Sequence, residues 1–300
     1  MFFKVKFIHR LRYLILLIAF SLYGCGTIDE PKILTLGIVH YQPPGKSSIQ
    51  LEDIAGELKK QYPNTQIRIS STTNYDKGIK IICNGEFNNS KWDVVFALSP
   101  VVSAKALECG YEPLYQAYGG GTYYSVLFVR KDSKIEDLEY NNLDKVSLAL
   151  NQINSASGFY LPIYKLWNKT LNKILFVGDY DLIMDLVKKN PNVIGAIPSP
   201  IFASNSLYPV GTFKEIARSS EIPKGLVLIN SKMKPEQKLK IKQSLDSISI
   251  EKIPKGSNNE SIYNPKDITQ SDYKELKEII AKVESFKCYK NSPVKITKCN

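Results

Sequence analysis

Residues 145–162 read KVSLALNQINSASGFYLP. The apolar alternation through Val146, Leu148 and Leu150 predicts a buried strand, and the spacing that follows predicts a helix beginning near Gly158 with Pro162 inside its first turn. First-turn amides have no intrahelical acceptor, so proline does no harm there. Between strand and helix stand Ser155, Ala156, Ser157 and Gly158, which supply two hydroxyl donors and a glycine that lets the backbone come close to a ligand. In open α/β sheets ligands lie beyond the carboxyl ends of the strands, where a helix N-terminus offers free N–H groups and partial positive charge to an anion. The passage therefore reads as an anion-facing turn, with plain helix capping as the simpler alternative.

The same alternation continues on both sides. ILTLGIV (33–39) reads as a strand and SIQLEDIAGELKKQY (48–62) as a helix, followed by TQIRIS, YDKGIKIIC, WDVVFAL and PVVSAKALEC as strand, helix, strand and helix. A second set runs through VSLAL, the helical pattern FYLPIYKLWNKTL (159–171), ILFVG, DLIMDLVKKN and VIGAI. Strands alternating with helices imply mainly parallel sheets, here in two lobes. IPKGLVLIN (222–230) and the helix KPEQKLKIKQSLDSI (234–248) resume the pattern and are expected back in the first lobe. The expected division is 25–124 for the first lobe, 125–221 for the second, and 222–300 for the return and C-terminal tail. DVVFALSP (93–100) and VIGAIPSP (193–200) echo each other, which makes Ser99 and Ser199 candidate N-caps before Pro100 and Pro200.

Residues 1–24 read as a signal peptide: Lys4, Lys6, Arg10 and Arg12 precede the apolar run YLILLIAFSLYG, which is shorter than the roughly 20 residues of a spanning helix. LYGC (22–25) matches a bacterial lipobox, so Cys25 is the expected lipidation site, tethering the chain to a membrane surface of the bacterial cell envelope. The whole chain has 40 Lys and Arg against 29 Asp and Glu; without the 4 basic residues of the leader the balance is 36 against 29, a net charge of +7. Scattered lysines with no aromatic-studded basic stripe argue against nucleic acid. Cys83, Cys109, Cys288 and Cys299 remain, an even set for an oxidising compartment. Of their alternative pairings, Cys83 with Cys109 and Cys288 with Cys299 are favoured. The absence of a CxxC and the presence of only two histidines argue against a metal.

GGTYYSVLFVRKDS, NSASGFYLP, FVGDYDLIMDLV, VIGAIP and RSSEIPKGLVLI together resemble, in order, segments of the phosphate, phosphite and phosphonate substrate-binding proteins of ABC importers. The resemblance covers roughly residues 33–250. It implies a type II, Venus-flytrap fold, a small oxyanion in the inter-lobe cleft, delivery to an ABC permease in the cytoplasmic membrane, no cofactor, no catalysis and a monomer. Carried over residue by residue, it puts Tyr123, Ser155 and Ser157 on the ligand. Ser99 matches the loop after the first-lobe strand, and Tyr41 or His40 stands after the first strand as a remaining wall. Three positions depart from the family: Ala156 stands where a threonine is usual, Tyr180 where a ligand-facing histidine is usual, and Ile194 where an acid is usual. These departures leave a second reading open, a ligand-sensing or interaction lipoprotein of the same fold with a changed ligand.

Other features carry less. Tyr111, Tyr115, Tyr118, Tyr123 and Tyr124 could cage an organic cation, but tyrosines near a hinge more often pack. A hydrolase using Ser157 and His40 lacks a G-x-S-x-G elbow, and GGG at 119–121 lacks the Lys-Ser/Thr of a phosphate-binding loop.

Overall fold

A computed structural model describes residues 30–40, 51–85, 91–117, 121–204, 206–249 and 273–299. The first lobe is built from β1 (Ile33–Val39), α1 (Glu52–Gln61), β2 (Gln66–Thr72), α2 (Tyr75–Asn84), β3 (Val94–Ala97), α3 (Pro100–Glu108) and β4 (Tyr111–Gln116). The chain then crosses through β5 (Thr122–Tyr123) into the second lobe. There follow β6 (Ser125–Arg130), β7 (Ser147–Leu150), a wide helical turn Ala156–Tyr160, α4 (Leu161–Lys165), β8 (Thr170–Leu171) and β9 (Lys173–Phe176). The lobe is completed by α5 (Tyr180–Lys189), β10 (Val193–Pro198), α6 (Ser199–Ala203) and β11 (Phe213–Arg218). β12 (Ile222–Pro223) crosses back, and β13 (Leu226–Asn230), α7 (Pro235–Asp246), α8 (Lys274–Glu284) and β14 (Val294–Lys295) finish the chain.

Two five-stranded sheets result, in the orders β2-β1-β3-β13-β4 and β11-β6-β10-β7-β9. Each is mixed. β1 is parallel to β2 and β3, but β13 runs antiparallel to β3 and β4. In the second sheet β7 is parallel to β9 and β10, and β6 is antiparallel to β10 and β11. The parallel strands are those joined through helices. β13, which re-enters the first sheet from the other lobe, arrives in the opposite direction. The two crossing segments pair with each other, Ile222 opposite Tyr123 and Pro223 opposite Thr122, so one short ribbon carries both connections.

Local sequence caps two of the described α-helices: Asn74 accepts from Lys77 N at the start of α2, and Asp179 caps α5. α5 starts where Gly178 takes φ 80° and the Asp179 carboxylate accepts a hydrogen bond from Leu182 N at 2.9 Å. Asp181 in its first turn and Lys188 and Lys189 in its last complement the helix dipole. The helix expected over 159–171 is much shorter: it stops at Lys165, Asn168 turns into a left-handed conformation (φ 70°), and 170–171 pairs antiparallel with β14. Ser199 does not cap its helix; Pro198 holds that position, and Ser199 Oγ accepts from Tyr124 N at 3.3 Å.

Leu51, Ile54 and Leu58 of the α1 region and Ile241 and Leu245 of α7 share one core with Leu34, Leu36, Ile38, Val94 and Phe96. In the second lobe Ile183, Met184 and Val187 pack with Val126 and Phe128. The largest core runs through both lobes and takes in Leu276, Ile279, Ile280 and Val283 of α8. Disulfides join Cys83 to Cys109, tying α2 to the end of α3, and Cys288 to Cys299 in the tail. In the tail, β14 pairs antiparallel with β8.

Candidate functional site

Buried polar residues collect beyond the carboxyl ends of the parallel strands: His40 after β1, Ser99 after β3, Asn151 after β7 and Asp179 after β9, with Ser155 and Ser157 in the turn that follows β7. Burying polar side chains costs free energy unless they find partners, so their concentration at one end of both sheets marks that end as specialised.

The turn itself is tightly organised. Ser155 accepts a hydrogen bond from Gly158 N at 3.1 Å, and its backbone carbonyl accepts from Tyr160 N at 3.0 Å, five residues on, which gives the turn its width. Ala156 and Ser157 open the helix, where amides have no intrahelical acceptor. The Ser157 carbonyl is held by Ser125 Oγ at 2.7 Å, and Ser125 N donates to Ser219 Oγ at 2.9 Å, so the segment around Ser219 braces the turn from behind. Across the turn, Tyr180 Oη and Ser155 Oγ lie 3.2 Å apart. Burial raises the Tyr180 pKa, while the neighbouring Ser155, Ser157 and Asn151 oppose that rise and the Asp179 carboxylate adds to it. No cation figures among these neighbours.

Asn151 is the residue that sequence reading missed. It is 1% exposed, and neither its Nδ2 nor its Oδ1 makes a hydrogen bond of normal geometry, although the amide lies near enough to Tyr180 to influence its ionisation. Ser99 Oγ is likewise buried without a partner, and although Ser99 occupies the N-cap position of α3 its side chain makes no capping bond. Native structures rarely leave such atoms unsatisfied; Ser99 follows a strand of the first sheet and Asn151 one of the second, and Glu30, Tyr62 and Trp92 carry further such atoms elsewhere. A polar residue directly after an apolar strand was the available signal for Asn151.

The other expected site residues fall as follows. Tyr123 lies half-buried in the crossing ribbon and packs against the main core. Ala156 is buried in the turn, and Ile194 is fully buried in β10 as a core side chain. Asp179 is the cap of α5. Tyr41 and Cys25 lie outside the described residues. Among the described residues no group of three or more His, Cys, Asp or Glu could hold a metal ion, and no helix is long and apolar enough to cross a membrane.

Residues 36–272 match the family model described as "ABC transporter, phosphonate, periplasmic substrate-binding protein". The chain belongs to this family. The phosphonate-binding family comprises transport binding proteins rather than enzymes, and its members act outside the cytoplasm. No curated protein sequence matches the chain significantly. Among solved structures, XAC2383 from Xanthomonas citri bound to ATP is 18% identical with a TM-score of 0.61, over 84% of this chain and 96% of that one. PhnD1 from Prochlorococcus marinus in complex with methylphosphonate is 18% identical with a TM-score of 0.60, over 86% and 100%. A binding protein component of an ABC phosphonate transporter from Pseudomonas aeruginosa is 18% identical with a TM-score of 0.56, over 84% and 86%. At such identities the likeness concerns the fold.

Proposed function

We propose that this member of the phosphonate-binding family takes a small tetrahedral oxyanion, such as a phosphonate, phosphite or phosphate, between its lobes and delivers it to an ABC permease. The lobes are assigned as 25–124 with the return from 222, and 125–221. Cys25 carries the lipid that tethers the mature chain to the membrane. The observation that carries the reading is the buried cluster of Asn151, Ser155 and Tyr180, in which the two hydroxyls lie 3.2 Å apart and the Asn151 amide makes no hydrogen bond of normal geometry. An oxyanion at the mouth of the Ala156–Tyr160 turn would accept from the Asn151 amide, from the Ser155, Ser157 and Tyr180 hydroxyls and from the first-turn amides, with Ser99 and Tyr123 facing it from the first lobe and the crossing ribbon. Tyr41 or His40 is proposed as the remaining contact.

The donors are neutral, and Ile194 puts a hydrocarbon where the family resemblance leads one to look for an acid. Such a pocket holds an anion through oriented dipoles rather than ion pairs. With a hydrocarbon at 194, the buried carboxylate among the described residues of this cluster is Asp179, which is engaged as the cap of α5 by Leu182 N, so simple oxyanions and alkylphosphonates are favoured over aminoalkylphosphonates.

The test is thermal unfolding of the protein with phosphate, phosphite, methylphosphonate, aminoethylphosphonate, sulfate and molybdate. A ligand at 100 times its Kd stabilises by about 2.7 kcal/mol. The expected result is stabilisation by one oxyanion that Ser155→Ala with Ser157→Ala abolishes. Failure of every oxyanion to shift the transition would overturn the reading.

A further inference from the structure

Besides the crossing ribbon and the shared core, the lobes meet through polar side chains. Side chains of the loop after β7 reach the start of α2 and the loop before it: Gln152 Nε2 donates to the Thr73 carbonyl at 3.3 Å, and the Asn154 amide nitrogen donates to the carboxylate of Asp76 in the first turn of α2. Asn154 is gripped from its other side as well, because Tyr160 Oη donates to its Oδ1 at 2.7 Å. Its backbone is left-handed, φ 69°, a conformation that asparagine tolerates better than most residues. Tyr160 neighbours Glu284 of α8, and Glu284 pairs with Lys105 of α3 at 3.0 Å. A polar chain thus runs Asp76–Asn154–Tyr160–Glu284–Lys105, starting in the first lobe, passing through the second and ending in the first. Its fourth member lies beyond residue 272, where the family match ends.

We propose that Asp76, Asn154 and Tyr160 form a latch that holds the lobes together and ties their angle to the shape of the 155–158 turn. The coupling is covalent in part: Asn154 directly precedes Ser155, whose Oγ caps the turn and contacts Tyr180. Tyr160, at the far end of the same turn, holds the Asn154 side chain in the rotamer that reaches Asp76. A shift of the first lobe away from Asn154 therefore releases both ends of the turn. These are positioning residues, which act on a ligand only through the turn. Asp76 is solvent-exposed, so each bond carries the ordinary net weight of a protein hydrogen bond, and losing one raises the open-to-closed ratio about two- to tenfold.

Amide hydrogen exchange of the ligand-free, full-length protein reads such a ratio directly, because protected amides exchange from the open form. Each variant is scored on the lobe that does not carry it. Asp76→Ala is expected to speed exchange over residues 151–161, and Asn154→Gly, which keeps the left-handed backbone, is expected to speed it over 72–77, each about two- to tenfold. Peptides from β1 and β3 should keep wild-type rates. The exchanged pair Asp76→Asn with Asn154→Asp restores an amide donor opposite a carboxylate and leaves an acceptor for Tyr160, so it should return both regions to wild type. Unchanged opposite-lobe rates, acceleration that spreads equally to β1 and β3, or no rescue by the exchanged pair would each overturn the latch. With no ligand present, the result stands apart from whether any oxyanion binds.

Discussion

Gly158→Ala places the reasoning about the turn under direct strain. An added Cβ at residue 158 would stand 2.6 Å from Asn151 Cβ, 2.8 Å from Ser155 Oγ and 3.3 Å from Ser155 Cβ. The first contact is the severe one, because Asn151 Cβ is one bond from the backbone and Asn151 N is itself bonded to the Gly158 carbonyl at 3.1 Å. Asn151 cannot swing aside by changing rotamer; the end of β7 or the turn must move. Overpacking of this kind costs about 1–3 kcal/mol. Displacing Ser155 also removes its bond to Gly158 N, for about 0.5–1.5 kcal/mol more. A loss of about 2–4 kcal/mol is therefore expected in urea unfolding, read as a lower midpoint at unchanged slope. The double variant Asn151→Gly/Gly158→Ala removes the obstructing Cβ and should recover a good part of the loss, a coupling that independent sites would not show. A Gly158→Ala midpoint equal to wild type, or no coupling in the double variant, would refute the packing argument.

Three further outcomes follow from other parts of the molecule. Gly56 lies on the exposed side of α1 with nothing within 4 Å of an added Cβ, so Gly56→Ala should raise stability by about 0.5–1 kcal/mol in the same titration. Cys83 and Cys109 are 26 residues apart, and breaking their bridge with Cys83→Ser/Cys109→Ser should lower stability by about 3.5 kcal/mol on chain-entropy grounds. Asp93 is held mainly by burial, which raises its pKa, with the hydrogen bond from Thr35 N at 2.7 Å working the other way. A carboxyl whose folded pKa is raised costs stability above that value and gives it back as pH falls through it towards about 3.9. Asp93→Asn should therefore be more stable than wild type at pH 7, and the difference should shrink on acidification; a constant difference would count against the buried charge.

What the sequence revealed was local, and what it concealed was relational. The turn at Ser155, Ser157 and Gly158 was legible as the opening of a helix, because small residues between an apolar strand and a proline-bearing helix suit a cap, and Ser155 Oγ does accept from Gly158 N. The lobes were legible because strand and helix periods alternate over most of the chain. The direction of β13 was not, since an apolar run reads alike whichever way it pairs. Nor was the break in the 159–171 helix, because Asn168 turns left-handed against a partner strand more than a hundred residues away, with Asn168 N donating to the Ile296 carbonyl at 2.7 Å. Asn151 escaped notice for the same reason. Its place beside Tyr180 depends on α5, a helix well beyond it along the chain.

The closing strand β14 and the buried face of α8 have a consequence for where the chain can be shortened. Leu276, Ile279, Ile280 and Val283 complete a core whose other members come from both lobes, and β14 supplies the partner of β8. The earlier strands leave a surface around α4 that only this later stretch covers. A chain cut after residue 272 would keep the entire span that matches the family and still leave that surface open, so the family span needs residues beyond it to cover its own core.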